Sequence, residues 1–158
     1  MLLAQIRPVR SDADITTTRL LFREYAESIG IDLEYQGFSA ELATLPGKYA
    51  PPTGELFIAI NAGEPAGCVA LRALARTITE MKRLYVRPSA RGTGLGKGLV
   101  EAAITNARQG GYAELRLDTL ATMAPAQALY HSLGFVEIPA YGHSHVPGTV
   151  FYALTLVD

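Results

Sequence analysis

A chain of 158 residues has the length of one domain with a proper core, and 49% hydrophobic against 18% charged residues excludes a disordered chain. It contains no uninterrupted apolar run of about 18 residues, which argues against a membrane span, and its net charge of −1 argues against bulk binding of nucleic acid. Met1-Leu2-Leu3-Ala4-Gln5-Ile6-Arg7-Pro8 lacks the charged leader and long apolar core of a signal peptide. The single cysteine, Cys68, excludes an intrachain disulfide, so a reducing, cytoplasmic location is expected.

In chain order, the first residues read as a short strand ended by Pro8. Ser11 is placed to cap a helix whose apolar positions Ile15, Leu20, Leu21, Tyr25 and Ile29 recur near helical spacing before Gly30. A second short helix is expected from Ser39 to Leu45, ahead of Pro46-Gly47, and Pro51-Pro52-Thr53-Gly54 is a turn cluster. Residues 55–61, 67–74 and 77–86 read as strands of an antiparallel meander, with Ala62-Gly63-Glu64-Pro65 as the first turn. A helix from Leu99 to Arg108 follows a glycine-rich turn. Then come a short strand at 113–118, a helix opened by Pro125 and ended at Gly134, and a final strand pair at 135–138 and 149–157. No repeat or linker interrupts the series, so residues 1–158 read as one α/β (α+β) domain with a mixed sheet.

The most informative stretch is the turn itself, Arg91-Gly92-Thr93-Gly94-Leu95-Gly96-Lys97-Gly98. Glycines bare the backbone where a strand-to-helix turn leaves N–H groups without partners, and the helix dipole adds positive potential there. Such a site suits a pyrophosphate. A plain connector would gain nothing from four glycines that weaken a helix start. The nucleotide P-loop fingerprint fails, because Arg91 occupies its first glycine and Gly98 its hydroxyl position. The dinucleotide fingerprint fails on Lys97 or on Leu99, and five residues separate Val86 from Gly92 where that loop follows its strand at once.

The pattern that fits is Arg-x-x-Gly-x-Gly after a strand ending Leu84-Tyr85-Val86. It resembles the acetyl-CoA signature of the GNAT superfamily of N-acetyltransferases. A second segment, Ala126-Gln127-Ala128-Leu129-Tyr130-His131-Ser132-Leu133-Gly134-Phe135, is similar to that family's helix-to-strand motif. The matched segments run from about Glu80 to Phe135. The resemblance implies a mostly antiparallel sheet flanked by helices and acetyl-CoA as cosubstrate. It also implies cofactor contacts from Leu84, Tyr85, Val86, Arg91, Gly92, Thr93, Gly94, Leu95, Gly96 and Lys97. Met123 stands where the family often has an asparagine seven residues before the tyrosine.

Acetyl transfer needs a neutral amine, a polarised carbonyl and a proton for the leaving thiolate. An ordinary lysine-type amine has a pKa of about 10.4, so a base is useful. Glu80, an acid in a strand otherwise basic and apolar, resembles the family's glutamate base in position; the alternatives are a pairing role beside a neighbouring Arg or Lys, and deprotonation through water. Tyr130 is the candidate acid for the thiolate, against a reading as an aromatic core plug. A backbone N–H near Leu84–Val86 is expected to polarise the carbonyl. Cys68 reads as a buried small hydrophobe. His143-Ser144-His145 lacks the further ligands of a metal site, so no metal is expected.

Lys82, Arg83, Arg87, Arg91 and Lys97 make a basic stretch with no acid between Met81 and Gly98, which suits the phosphates of coenzyme A. Glu24, Glu27, Asp32, Glu34 and Glu41 make an acidic one with no Lys or Arg. In folds of the resembled family the first helices border the acceptor, so a cationic small-molecule or peptide amine is the expected partner. A non-catalytic CoA- or nucleotide-binding regulatory module on the same fold is the alternative. Monomer and homodimer both remain open.

Overall fold

Local signals place most elements in this computed structural model, which describes residues 4–142 and 146–157. Ser11 is extended, and its hydroxyl accepts the Asp14 N–H at 3.1 Å to start α1 (Asp12–Ile29). Gly30 ends that helix in the left-handed region at φ 66°. The short α2 (Phe38–Thr44) follows a 3-10 turn. The meander is β2 (Glu55–Asn61), β3 (Glu64–Ala73) and β4 (Ile78–Val86), and β1 (Gln5–Pro8) pairs with β2 at the edge. The first hairpin turn is tighter than expected. Ala62 and Gly63, both at positive φ, make it alone, so β3 starts at Glu64.

After the glycine-rich turn, α3 spans Leu95–Gln109 and begins four residues earlier than apolar spacing indicates, because the glycines themselves enter the first turn. Then come β5 (Glu114–Leu120), α4 (Ala124–Ser132), β6 (Val136–Ile138) and β7 (Thr149–Thr155). The sheet order is β1-β2-β3-β4-β5-β7-β6, so the last strand lies between β5 and β6. Only the β4–β5 pair is parallel, as a strand–helix–strand crossover requires.

Strand alternation divides the core in two. Val69, Leu71 and Met81 pack with Leu95, Leu99, Val100 and Ala103 of α3 and with Tyr130 of α4. Cys68, Ala70 and Tyr85 pack with Leu21 and Phe22 of α1, Phe38 of α2 and Tyr49. One irregularity reshapes the middle of the sheet. Opposite the Cys68–Ala70 stretch, β4 carries one extra residue: Cys68 faces Tyr85 and Ala70 faces Lys82. Arg83 adopts φ 63°, and its carbonyl accepts the Cys68 thiol at 3.4 Å. The bulge inverts the alternation, so Met81 but then Leu84 and Val86 turn to the α3 side. It also turns β4 away from β5. The two strands pair at Ile78–Glu114, Thr79–Leu115 and Glu80–Arg116 and then part, while β5 stays paired with β7 through Leu120.

Candidate active site

The gap between the parted strands meets the start of α3. Gly94 caps that helix at φ 85° with no side-chain cap, a conformation costly for other residues. The first intrahelical bond runs from the Gly98 N–H to the Gly94 carbonyl at 3.0 Å, which leaves the N–H groups of Leu95, Gly96 and Lys97 without intrahelical acceptors. Leu95 itself is buried, so only its backbone faces outward; Gly92, Thr93, Gly94, Arg91 and Lys97 are exposed. Arg91 is tied back by its Nε to the Val86 carbonyl at 3.1 Å.

From that turn a groove runs inward between β4 and α4. Leu84, Tyr85, Val86, Arg91 and Gly96 form one wall; Met123, Pro125, Ala126 and Leu129 form the other; Tyr25, Ser28 and Ile29 of α1 close it. A Cβ on Gly96 would sit 3.8 Å from Val86 Cγ2 and 3.9 Å from Leu129 Cδ2, so glycine keeps the groove open at this point. Arg87 donates its N–H to the Ala66 carbonyl at 2.8 Å, and by strand alternation the N–H of Val86 faces the gap. These features fit an extended ligand with a phosphate-bearing end: bare amides and two exposed cations at the mouth, an apolar passage behind.

The groove continues into a cavity between β4 and β5. Tyr25, Ile29, Leu84, Leu120 and Met123 border both spaces, and Lys82, Arg83, Asp118, Thr119 and Tyr130 line the inner one. Tyr130 is buried, its ring packed on Phe135 and Tyr152 with centroids 5.6 and 6.0 Å away. Its hydroxyl makes no hydrogen bond among the described residues. Burial pushes the phenol upward, with Tyr25 and Asp118 adding to the shift, so it stays protonated at neutral pH. The ring fills core, as the packing reading expects, and the residue also lines the cavity. Met123, in place of an amide side chain, presents sulfur, which accepts the Thr119 hydroxyl at 3.7 Å.

Glu80 is placed differently. It is 3% exposed and is not among the residues lining the cavity. Its carboxylate accepts Arg72 Nε at 2.9 Å and the Tyr141 hydroxyl at 2.7 Å, with Lys82 Nζ at 3.9 Å. Burial works to raise its pKa, but Lys82, Tyr141 and Arg72 outweigh it and hold the carboxyl below its ordinary range. The geometry matches the pairing role.

The acidic run is also engaged. Glu24 takes both Arg87 Nε and Nη2, at 2.9 and 2.8 Å, and the Tyr85 hydroxyl at 3.2 Å. Glu41 takes Arg83 Nε and Nη2 at 2.9 and 3.1 Å. Asp32 accepts the Glu34 N–H at 3.0 Å, and Glu34 accepts the Ser39 N–H at 2.9 Å. None of the five carboxylates lines the cavity, so any pull they exert on a cationic acceptor acts from outside it. Lys82, read in the sequence with the phosphate-binding cations, lines the inner cavity instead, and sequence reasoning missed Asp118 on the cavity wall and Ala126 and Leu129 on the groove. The last two carry a signal, since they fall three apart on one helix face within the second motif.

Cys68 is fully buried, and burial drives its thiol well above the ordinary range. Among the described residues no cluster of three or more His, Cys, Asp or Glu side chains is placed to hold a metal; His143-Ser144-His145 lies outside them. No helix among them is long and apolar enough to cross a membrane.

The sequence profile described as the Acetyltransferase (GNAT) family matches residues 19–135. An uncharacterized N-acetyltransferase of Schizosaccharomyces pombe is 39% identical over 153 residues, spanning 96% of this chain and 94% of that protein. A GNAT-family acetyltransferase from Staphylococcus aureus superposes with a TM-score of 0.82 at 20% identity, over 98% of this chain and 100% of that one. An acetyltransferase from Salmonella typhimurium, solved with its cofactor acetyl-CoA, superposes with a TM-score of 0.68 at 21% identity, over 98% and 95% of the two chains. The parted strands, the bare start of α3 and the groove between them thus sit in a chain that belongs to the GNAT family of acetyltransferases.

Proposed function

We propose that this protein transfers an acetyl group directly from acetyl-CoA to a primary amine, with both molecules bound at once. The observation that carries the reading is the continuity of the two spaces, a groove with an anion-binding mouth opening into a separate inner cavity. The neighbour solved with acetyl-CoA supports the choice of cosubstrate. Arg91, Lys97 and the amides of residues 92–97 receive the pyrophosphate, where helix dipole and charge add. Leu84, Val86, Ala126 and Leu129 hold the arm, and Gly96 keeps its path open.

Acetyl-CoA supplies the activated thioester. The amine nitrogen bonds to the acetyl carbon, the carbon–sulfur bond breaks, the nitrogen loses one proton and the thiolate gains one. The Val86 N–H donates to the carbonyl oxygen as negative charge grows there. Tyr130, kept protonated by burial, donates to the departing sulfur. Glu80 anchors Arg72 and Tyr141 rather than receiving the amine proton, which leaves through solvent in the open cavity.

The test is a melting curve with acetyl-CoA together with thiol release over a panel of amines. Saturation at 100 times Kd adds about 2.7 kcal/mol, roughly 5–11 °C in a domain of this size. Stabilisation by ATP or NAD but not by acetyl-CoA sinks the proposal.

A further inference from the structure

We propose that the amine acceptor also carries a carboxylate and that Lys82 binds it; this rests on the acetyl-transfer reading above. Lys82 lines the cavity from β4 with its side chain 12% exposed. Its ion pair with Glu80 is long, at 3.9 Å, and its ammonium makes no hydrogen bond among the described residues. Glu80 does not require it, because Arg72 and Tyr141 already occupy both carboxylate oxygens. A lysine ammonium withdrawn from water and held without a close acceptor is costly unless something arrives to pair it.

The surrounding charges leave that place open. Arg83, the next cation on the strand, is bound twice by Glu41, and Lys48 lies 3.3 Å from the same carboxylate. Arg116 is paired with Glu114. Lys82 is thus the cation of this group that lines the cavity without a hydrogen bond among the described residues. Burial pulls the Lys82 ammonium below its ordinary range, with Glu80 and Asp118 opposing; an incoming anion acts in the same sense as those carboxylates and holds the charge in place. Across the cavity, β5 contributes Asp118 and Thr119, and Tyr130 lies on the same wall system. An acceptor with a carboxylate toward Lys82 and its amine toward the Tyr130 side of the cavity fits this wall. The chemical class is that of amino acids.

The experiment measures kcat/KM for L-amino acids against their own carboxamides, with spermidine as a cationic control, all normalised to free amine. Wild-type protein should favour the acids by about 10- to 100-fold, the range of one hydrogen bond to a charged group. Lys82→Met should bring the acid-to-amide ratio to within about 3-fold of unity, and Lys82→Arg should keep a preference for acids. Lys82→Gln replaces the methionine variant should that one fail to fold, and the wild-type ratio decides on its own if both do. Amides or spermidine ahead of the acids, or an acid preference that survives Lys82→Met, overturns the carboxylate proposal and leaves acetyl transfer standing. No acetyl-CoA stabilisation and no acetylated amine overturns both.

Discussion

Removing Glu41 should unfold this protein more readily than any exposed substitution. Arg83 and Glu41 are 2% and 4% exposed at their side chains and share two hydrogen bonds across the α2–β4 contact. Arg83 also sits at φ 63° on the bulge, its guanidinium 5.3 Å from the Phe38 ring and 5.9 Å from that of Tyr25. In Glu41→Ala the guanidinium stays buried and loses both carboxylate acceptors, keeping the Tyr25 hydroxyl and the attraction of the aromatic faces. Loss of one partner of such a pair costs about 3–5 kcal/mol. Lys48, 39% exposed, loses a partner but regains water, and adds little. At roughly 2–4 °C per kcal/mol for a chain of this length, the melting temperature should fall by about 6–20 °C. Urea titration at neutral pH measures the free energy, and calorimetry the midpoint. Replacing both residues, Glu41→Leu with Arg83→Met, should recover most of the loss, because no charge is left buried. A cost below about 1 kcal/mol for Glu41→Ala would mean that the guanidinium reaches water, and the argument from burial would be wrong.

Gly96→Val should abolish most of the melting shift given by acetyl-CoA while leaving the apo protein folded, since the new methyls point into the groove; an unchanged shift would move the arm elsewhere. Tyr130→Phe should lower kcat by about 10²–10⁴-fold at all pH values if its hydroxyl serves the leaving thiolate, and only a few-fold if the ring alone matters. Glu80→Gln should leave the low-pH limb of kcat/KM where it is in wild type, because the carboxylate is paired away from the cavity; recovery of activity only at high pH would reinstate it as the base. The carboxyls of Glu24, Glu41 and Glu80 are all held below the ordinary carboxylate range, chiefly by Arg87, by Arg83, and by Lys82 with Tyr141 and Arg72, respectively. Their contribution to stability is thus present above the unfolded carboxylate pKa and lost as pH falls through the lower folded values, so acid unfolding should set in below about pH 4.5 and be less steep in Glu41→Gln.

What the sequence determined by itself is local. Ser11 and Gly30 bound a helix because caps are satisfied within one turn, and alternation drew the strands of the meander because a half-buried strand repeats every two residues. Arg91–Gly98 reads as an anion site because backbone amides and glycine freedom need no distant partner. The tertiary structure decided the rest. The bulge at Arg83 depends on the register of β3, and it turns Leu84 and Val86 toward the groove against the alternation their own strand began. Glu41 lies 42 residues from Arg83, and Tyr141 lies 61 from Glu80, so no window along the chain shows that these acids are already paired. An acid in sequence is an available charge; in the fold it is available only if no cation reaches it first. That is why Glu80 and the run from Glu24 to Glu41 read as active-site chemistry along the chain, and why Lys82, whose acid neighbour is held by Arg72 and Tyr141, faces the cavity instead.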